Sequence, residues 1–153
     1  MPKKTGSPKR MIGPGEPFVD ANVIVRLVTG DNPAKQVQAA ALFQAVESGT
    51  LTIGAPDTVL FEVVYVLASK RLYNLSRLQV QQVLAPILRL PAFKLANKRV
   101  VFRALDLYAS TNLPFGDAFI VAAMEESGTR TIYSFDAAHL DKVPGIERLE
   151  PGL

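Results

Sequence analysis

Short apolar segments that are typical of strands alternate with longer helical segments along most of the chain. The strand-like segments lie at residues 17–21, 51–55, 93–95, 130–134 and 146–149. Apolar residues at helical spacing predict helices at residues 23–28, 33–49, 57–71, 97–110 and 117–127, and one more that begins after Ser76. Because strands that alternate with helices pair in parallel and bury both faces, we expect an α/β fold. The specific expectation is a three-layer α/β/α sandwich with a mostly parallel central sheet.

The length of 153 residues fits one domain, which we expect to span residues 17–153. Residues 1–16 are predicted to form a flexible basic leader, since the first ten residues contain four Lys or Arg and no acid. Without those four cations, the chain has 13 Lys and Arg against 14 Asp and Glu. The formal net charge of +3 therefore comes from the leader and does not by itself indicate nucleic-acid binding.

Composition excludes several kinds of chemistry. The chain has no Cys and a single His, which excludes disulfides, thiolate nucleophiles, Cys-ligated zinc and His-rich metal sites. Carboxylates, hydroxyls, Lys and Arg remain, and hard cations held by oxygen ligands are the metals that this set of side chains can accommodate. No signal peptide and no apolar run of eighteen residues is present, so we expect a cytoplasmic protein without a membrane segment.

Four carboxylates stand as the only charges in apolar segments: Asp20, Glu62, Asp117 and Asp136. Acids are rarely buried unless they are paired or bind a metal, so their positions need an explanation. Simple structural roles exist for each. Asp20 and Asp117 are suited to cap helices, Asp136 to begin a turn, and Glu62 to face solvent on an amphipathic helix.

In the expected fold these carboxylates converge at one end of the sheet. Asp20 and Asp136 follow strands at their carboxyl ends, where open parallel sheets form ligand crevices. Two unit charges about 4 Å apart repel by roughly 4 kcal/mol at an effective dielectric near 20, so a cluster needs protons or a cation. An all-oxygen site suits Mg²⁺, for which Mn²⁺ substitutes. Such a site activates water for hydrolysis of a phosphodiester without a side-chain nucleophile.

At these positions the chain resembles PIN-domain ribonucleases, and most closely the VapC-type toxins of type II toxin–antitoxin systems. The resemblance runs from about residue 18 to residue 151. It rests on four motifs in order, at residues 18–22, 61–67, 115–118 and 134–136, and on a turn at residues 143–146. Ala21 and Gly116 depart from residues common in the family, but neither departure removes a metal ligand.

The resemblance implies a Mg²⁺-dependent endoribonuclease that leaves 3′-hydroxyl and 5′-phosphate ends. Its RNA substrate would be a tRNA or another structured RNA, and a cognate antitoxin would inhibit a homodimer. Asn22 and Ser134 would support the site through hydrogen bonds. The acidic cluster, catalytic and metal-binding, would consist of Asp20, Glu62, Asp117 and Asp136, with Asp20 and Asp117 as direct ligands.

Two other functions are compatible with the sequence. One is a catalytically silent PIN-like module that binds protein or RNA. The other is a different Mg²⁺ phosphotransfer fold such as a receiver domain, against which stands the lack of an acidic neighbour beside Asp20. Arg26 is interpreted as a structural ion-pair partner and His139 as a surface turn residue. Basic candidates for RNA contacts, which are more often simply solvated, are Lys70, Arg71, Arg77, Lys98, Arg99 and Arg103.

Overall fold

The computed structural model describes residues 15–152, so nearly all of the predicted leader lies outside the described residues. Contacts divide the chain into two compact units, the first ending at Lys98 and the second beginning at Arg99. Each unit contains helices and one pair of parallel strands. No helix within residues 15–152 has both the length and the apolar character needed to cross a membrane.

Over its described residues, 15–98, the first unit is built from four helices and two strands. In chain order they are α1 Ala21–Val28, α2 Pro33–Glu47, β1 Ile53–Gly54, α3 Asp57–Ala68, α4 Arg77–Leu88 and β2 Phe93–Lys94. Strand β1 pairs in parallel with β2, and Phe18 forms a parallel bridge to Gly54 on the other side of β1. The strand expected at residues 17–21 is therefore a single bridge, because the chain turns into α1 at Ala21.

Local sequence explains where the helices of this unit begin and end. Pro33 stands at the first position of α2, and the Asn32 side chain accepts a hydrogen bond from the Lys35 backbone N–H at 3.1 Å. A reciprocal capping box between Ser76 and Gln79 begins α4. Helix α3 stops at residue 68 rather than 71, where a turn begins that places Asn74 in the left-handed region at φ 51°.

Apolar faces of the helices form the core of the first unit. Helix α1 packs against α2 and α3, and α3 packs against α4. Phe43 of α2 meets Phe93 of β2 edge to face, with ring centroids 5.9 Å apart. Fully buried side chains include Ile24, Ile53, Leu60, Leu67, Val80 and Leu84.

The described part of the second unit contains three helices and two strands, and the first of these helices begins one residue earlier, at Lys98. They are α5 Lys98–Ser110, α6 Phe115–Ser127, β3 Thr131–Tyr133, α7 Ala137–Leu140 and β4 Glu147–Leu149. Strands β3 and β4 are parallel, with Ile132 opposite Arg148. Gly128 ends α6 in the left-handed conformation at φ 73°, a position that favours glycine.

The predicted order of helices and parallel strands is confirmed, and with it the α/β fold class. Strands are only two or three residues long, shorter than the apolar segments that predicted them. Apolar character marks which residues are buried, whereas a strand extends only as far as a neighbouring segment supplies hydrogen bonds.

Candidate metal centre

Asp117 lies in the first turn of α6, where the helix begins two residues earlier than predicted. Pro114 occupies the capping position with φ −54°, close to the value that its ring imposes, and offers no capping side chain. The suggested role of Asp117 as a helix cap is therefore wrong. Its partly exposed carboxylate accepts no hydrogen bond from residues 15–152. The positive end of the helix dipole favours negative charge at this position.

Asp136 follows β3 and caps the short helix α7. Its carboxylate accepts a hydrogen bond from the His139 backbone N–H at 3.1 Å. The His139 ring contributes a second contact, with Nδ1 lying 2.9 Å from Oδ2. Ser134 Oγ accepts a hydrogen bond from the Asp136 backbone N–H at 2.9 Å. The expectation that Asp136 begins a turn is confirmed, and the same bonds fix the direction of its carboxylate.

These contacts also set the charge of Asp136. The hydrogen bond from the His139 side chain, followed by the one from the His139 backbone, lowers the pKa of Asp136 below its ordinary value. Arg148 and His139 add a smaller electrostatic effect in the same direction. Asp136 is consequently a carboxylate at neutral pH, the form that binds a cation.

Three side chains of the second unit come together in a group that could hold a metal ion. Asp117, Asp136 and His139 each present one ligand atom, and these atoms lie within 4.8 Å of one another. Ligands on opposite sides of an octahedral Mg²⁺ are about 4.2 Å apart, so small side-chain rotations would bring the group to bonding distance. Two of the expected acids, Asp117 and Asp136, are thus neighbours.

The chemistry of this group fits a hard divalent cation. Carboxylate oxygens suit Mg²⁺ and Mn²⁺, whereas imidazole is more typical of zinc, copper, iron and nickel. The Nδ1 atom of His139 is already engaged with Asp136. His139 is therefore best described as a side chain that orients a carboxylate ligand, a common partnership around metal sites.

His139 was not among the site residues expected from the sequence, where it was interpreted as a surface turn histidine. A signal was nevertheless present, because Asp136 and His139 are three residues apart at the start of a helix. That spacing places a side chain in the first turn beside the cap. The single His of the chain therefore belongs to the candidate metal centre.

Asp20 lies in the first unit, at the residue that precedes α1. It occupies the capping position with extended backbone, but its side chain makes no capping hydrogen bond. The suggested capping role is therefore wrong for Asp20 as well. The exposed carboxylate opens onto a cavity of about 360 Å³. Its role as a metal ligand stays a prediction.

Glu62 lies in the middle of α3 with its side chain exposed. Its neighbours Val63 and Val64 are buried, so Glu62 stands on the solvent side of this helix. No residue of the described range forms an ion pair with its carboxylate. The position matches the solvent-facing alternative and also leaves the group accessible, so its metal-binding role stays a prediction.

Several basic candidates already have partners. Arg99 pairs with Glu126 at 2.9 Å and Arg103 pairs with Glu125 at 2.7 Å. Arg26 pairs with Asp31 at 3.1 Å, which confirms its expected role in an ion pair. The Lys98 ammonium donates a hydrogen bond to the Leu90 carbonyl at 2.7 Å. Partial burial, with a smaller effect from Lys94, lowers the pKa of Lys98 to about 8.

Comparison with known families agrees with this arrangement. The model of the PIN domain family matches residues 18–146, which is most of the chain and includes all four acidic motifs. No curated protein matches the chain. PIN domains are generally nucleases that act on nucleic acid and bind a divalent metal, and the parallel strands and helices are consistent with their three-layer fold. The chain belongs to the PIN domain family.

Proposed function

We propose that this protein is a metal-dependent endoribonuclease that hydrolyses RNA phosphodiesters. The observation that carries the proposal is the meeting of Asp117, Asp136 and His139 within 4.8 Å in a member of the PIN domain family. Paired carboxylates at this distance fit a divalent cation, and the chain contains no Cys that would supply a thiolate nucleophile.

In this proposal Asp117 and Asp136 would hold the cation; when bound, it would supply an activated water and stabilisation of charge on the phosphate. His139 holds the Asp136 carboxylate in one orientation through the 2.9 Å contact at Nδ1. Ser134 fixes the backbone from which Asp136 projects. Asp20 and Glu62 are proposed as further metal-binding acids, and Mg²⁺ is the proposed ion, with Mn²⁺ as a substitute.

The resemblance to VapC-type toxins supports a narrower biological role. We propose that the protein is the toxin of a type II toxin–antitoxin pair, that it acts in the cytoplasm as a homodimer, and that its cognate antitoxin blocks the site. The proposed substrate is a tRNA or another structured RNA. Growth arrest on expression, relieved by an adjacent antitoxin gene or by Asp117→Asn, would test this role in cells.

The direct test is cleavage of total RNA and of a tRNA pool by purified wild-type protein, with fragment ends mapped. We expect discrete cuts in Mg²⁺ and Mn²⁺, none in EDTA, and loss of cutting in Asp117→Asn. Glu147→Gln is a matched control, since Glu147 is an exposed acid of the same unit outside the metal group. Full activity in EDTA, or in Asp117→Asn, would contradict the metal mechanism.

The same assay addresses the silent-module alternative. If folded wild-type protein, free of inhibitor, cuts no RNA in Mg²⁺ or Mn²⁺, the endoribonuclease proposal fails and a binding function becomes the better interpretation. Capture of a bound protein or RNA would then be the informative experiment.

A further inference from the structure

We propose that a cavity beside the candidate metal centre is a pocket for one nucleobase of the RNA substrate, next to the phosphate that is cut. The inference rests on the proposed function and adds to it a means of choosing the cleavage site. The cavity has a volume of about 310 Å³, and all of its lining residues belong to the second unit. It lies between the end of α5, with the loop that follows, and the segment formed by α7 and the next turn.

The cavity shares a wall with the metal group. His139 lines the cavity and also belongs to the group that it forms with Asp117 and Asp136. Because phosphate, sugar and base are parts of one nucleotide, a phosphate held at the metal group brings a base within reach of the cavity. The position of the cavity therefore indicates a part of the RNA substrate as its occupant.

The lining suits a flat ring system. Half of the lining residues are apolar, namely Leu107, Leu113, Ala138, Val143 and Pro144. Polar side chains, among them Asn112, supply hydrogen-bonding groups beside these apolar surfaces. Ligand pockets of about 300–1,000 Å³ combine apolar walls with a few polar groups, and this cavity lies at the lower end of that range. An unstacked RNA base, with apolar faces and a polar edge, matches both the size and the composition.

The charge of the lining also fits a base, which is neutral. Among the described residues that line the cavity, Lys142 alone carries a formal charge, and its side chain is exposed. None of these residues is acidic, so a nucleotide meets no carboxylate repulsion from the lining. Lys142 has no part in recognising the base, because its charge has no counterpart there.

The His139 ring has one nitrogen left for a ligand. Its Nδ1 atom lies 2.9 Å from Asp136 Oδ2, and since a carboxylate accepts hydrogen bonds, Nδ1 is the donor of this contact. Nε2 makes no hydrogen bond with residues 15–152, and in this tautomer it is an acceptor. Every RNA base carries an N–H donor on its edge. A base in the cavity would donate to Nε2 while Asp136 holds the ring in its orientation.

Hydrogen bonds within the protein hold both walls of the cavity. On one side, Thr111 Oγ1 donates to the Leu107 carbonyl and accepts a hydrogen bond from the Leu113 N–H at 3.1 Å. On the other side, the Val143 N–H donates to the Leu140 carbonyl at 3.2 Å. The walls are therefore organised before a ligand binds, which reduces the entropy lost on binding.

The test uses a short oligoribonucleotide that spans a mapped cut, with each nucleotide near the cut replaced in turn by an abasic one. For wild-type protein we expect the loss of one particular base to lower kcat/KM by about 10- to 100-fold, the scale of a base contact. Fluorescence anisotropy with the same oligonucleotides, in an Asp117→Asn background with EDTA, measures this dependence on the base without cleavage. There we expect weaker binding of the same abasic oligonucleotide.

Two variants fill the cavity from opposite walls. Ala138→Leu and Ser110→Leu each add volume at an exposed position of the lining. Both should lower kcat/KM on intact RNA and remove the penalty for the missing base, as expected when two changes affect one contact. Ser110 lies in α5, away from the turn at Asp136, so agreement between the two variants excludes damage to that turn as the cause.

Ala137→Leu is the matched control. Ala137 is an exposed neighbour of Ala138 in the same turn of α7 and does not line the cavity. We expect this variant to keep both the wild-type activity and the wild-type penalty for the missing base. Lys142→Ala should also keep that penalty, because the base is neutral.

Failure of the pocket and failure of the endoribonuclease give different results. If wild-type protein cuts RNA without a penalty at any one base, the pocket is wrong and the endoribonuclease stands. If Ala138→Leu and Ser110→Leu keep the wild-type penalty, whatever their activity on intact RNA, the pocket is again wrong. If folded wild-type protein neither binds nor cuts RNA, both proposals fail.

Discussion

Asp20 and Asp136 are both acids that directly precede a helix, yet they are held in opposite ways. Asp136 accepts hydrogen bonds from the backbone and ring of His139 and caps α7. Asp20 precedes α1 without a capping bond, and its carboxylate opens onto a cavity. The same residue type at the same position relative to a helix therefore supports the fold in one case and stays available in the other.

This difference separates structural from chemical roles. A carboxylate that caps a helix contributes to folding whether or not an ion binds, and its direction is fixed in advance. A carboxylate without hydrogen bonds contributes to folding only through weaker effects such as the helix dipole, and its oxygens stay available to a ligand. Asp117, also without a hydrogen-bond partner among the described residues, belongs with Asp20 in this respect.

The largest expected effect is on cleavage. We expect Asp20→Asn and Asp117→Asn each to reduce RNA cleavage by at least about 100-fold, since each removes a charge proposed to hold the cation. The free energy of unfolding should change by no more than about 0.5 kcal/mol, because neither carboxylate is hydrogen-bonded within residues 15–152. Gel-based cleavage and urea unfolding measure the two quantities. A large loss of stability in either variant would break the contrast with Asp136.

A smaller effect is expected at His139, which acts through Asp136. We expect His139→Ala to lower cleavage about 10- to 100-fold and to raise the Mn²⁺ concentration needed for half-maximal activity, because the carboxylate loses its support. His139→Gln should recover part of this loss if its amide reaches Asp136. Lys142→Ala, a nearby exposed cation outside the metal group, is the control. Equal activity of His139→Ala and this control would show that orientation is unimportant.

Acid should weaken the second unit through Asp136. The folded-state pKa is lowered, mainly by the His139 side chain, so the stabilising contribution is present above the ordinary value of 3.8. It is lost as pH falls through the folded-state pKa. We expect Asp136→Ala to lower the melting temperature by roughly 2–4 °C at pH 7, and by less in strong acid. A pH-independent difference would contradict this account.

The smallest effect is expected in the first unit and has the opposite sign. Burial lowers the pKa of Lys98 to about 8 from 10.5, so the unfolded chain binds more protons between these values and stability rises with pH there. Because Lys98 is only partly buried, we discount the shift for solvent screening and expect a gain of about 1 kcal/mol. Urea unfolding of the wild-type protein at pH values near 8 and near 10.5, compared with that of Lys98→Met, isolates this gain in stability. An equal gain in Lys98→Met would show that another titratable group causes it.

Much of the fold could be predicted from local sequence. The starts of α2 and α4 followed from Asn32 and Ser76, whose side chains cap the helices as expected. Strand lengths could not be predicted, because Phe18 needs Gly54 as a distant partner and pairs with little beyond it. Apolar patterning reports burial, and pairing depends on which segments meet.

The candidate site was predictable only in part. Isolated acids in apolar segments identified Asp117 and Asp136, which the structure brings together. The capping alternative could not be excluded for Asp20, since sequence alone does not reveal whether a side chain folds back onto the helix. His139 was missed because a lone His is usually a surface residue, and its contact depends on the conformation of the turn at Asp136.

The turn that carries Asp136 depends on Arg148, a residue that is synthesised later. Its guanidinium donates to the Ser134 carbonyl at 2.8 Å and pairs with Asp141 and Glu150, each at 2.7 Å. The turn that carries Asp136 thus gains this anchor from a residue 12 positions later in the chain. During translation the turn emerges before its anchor does. A nascent chain therefore carries the acids of the candidate metal group before they are fully held, and the turn at Asp136 gains this anchor only once Arg148 and β4 are in place.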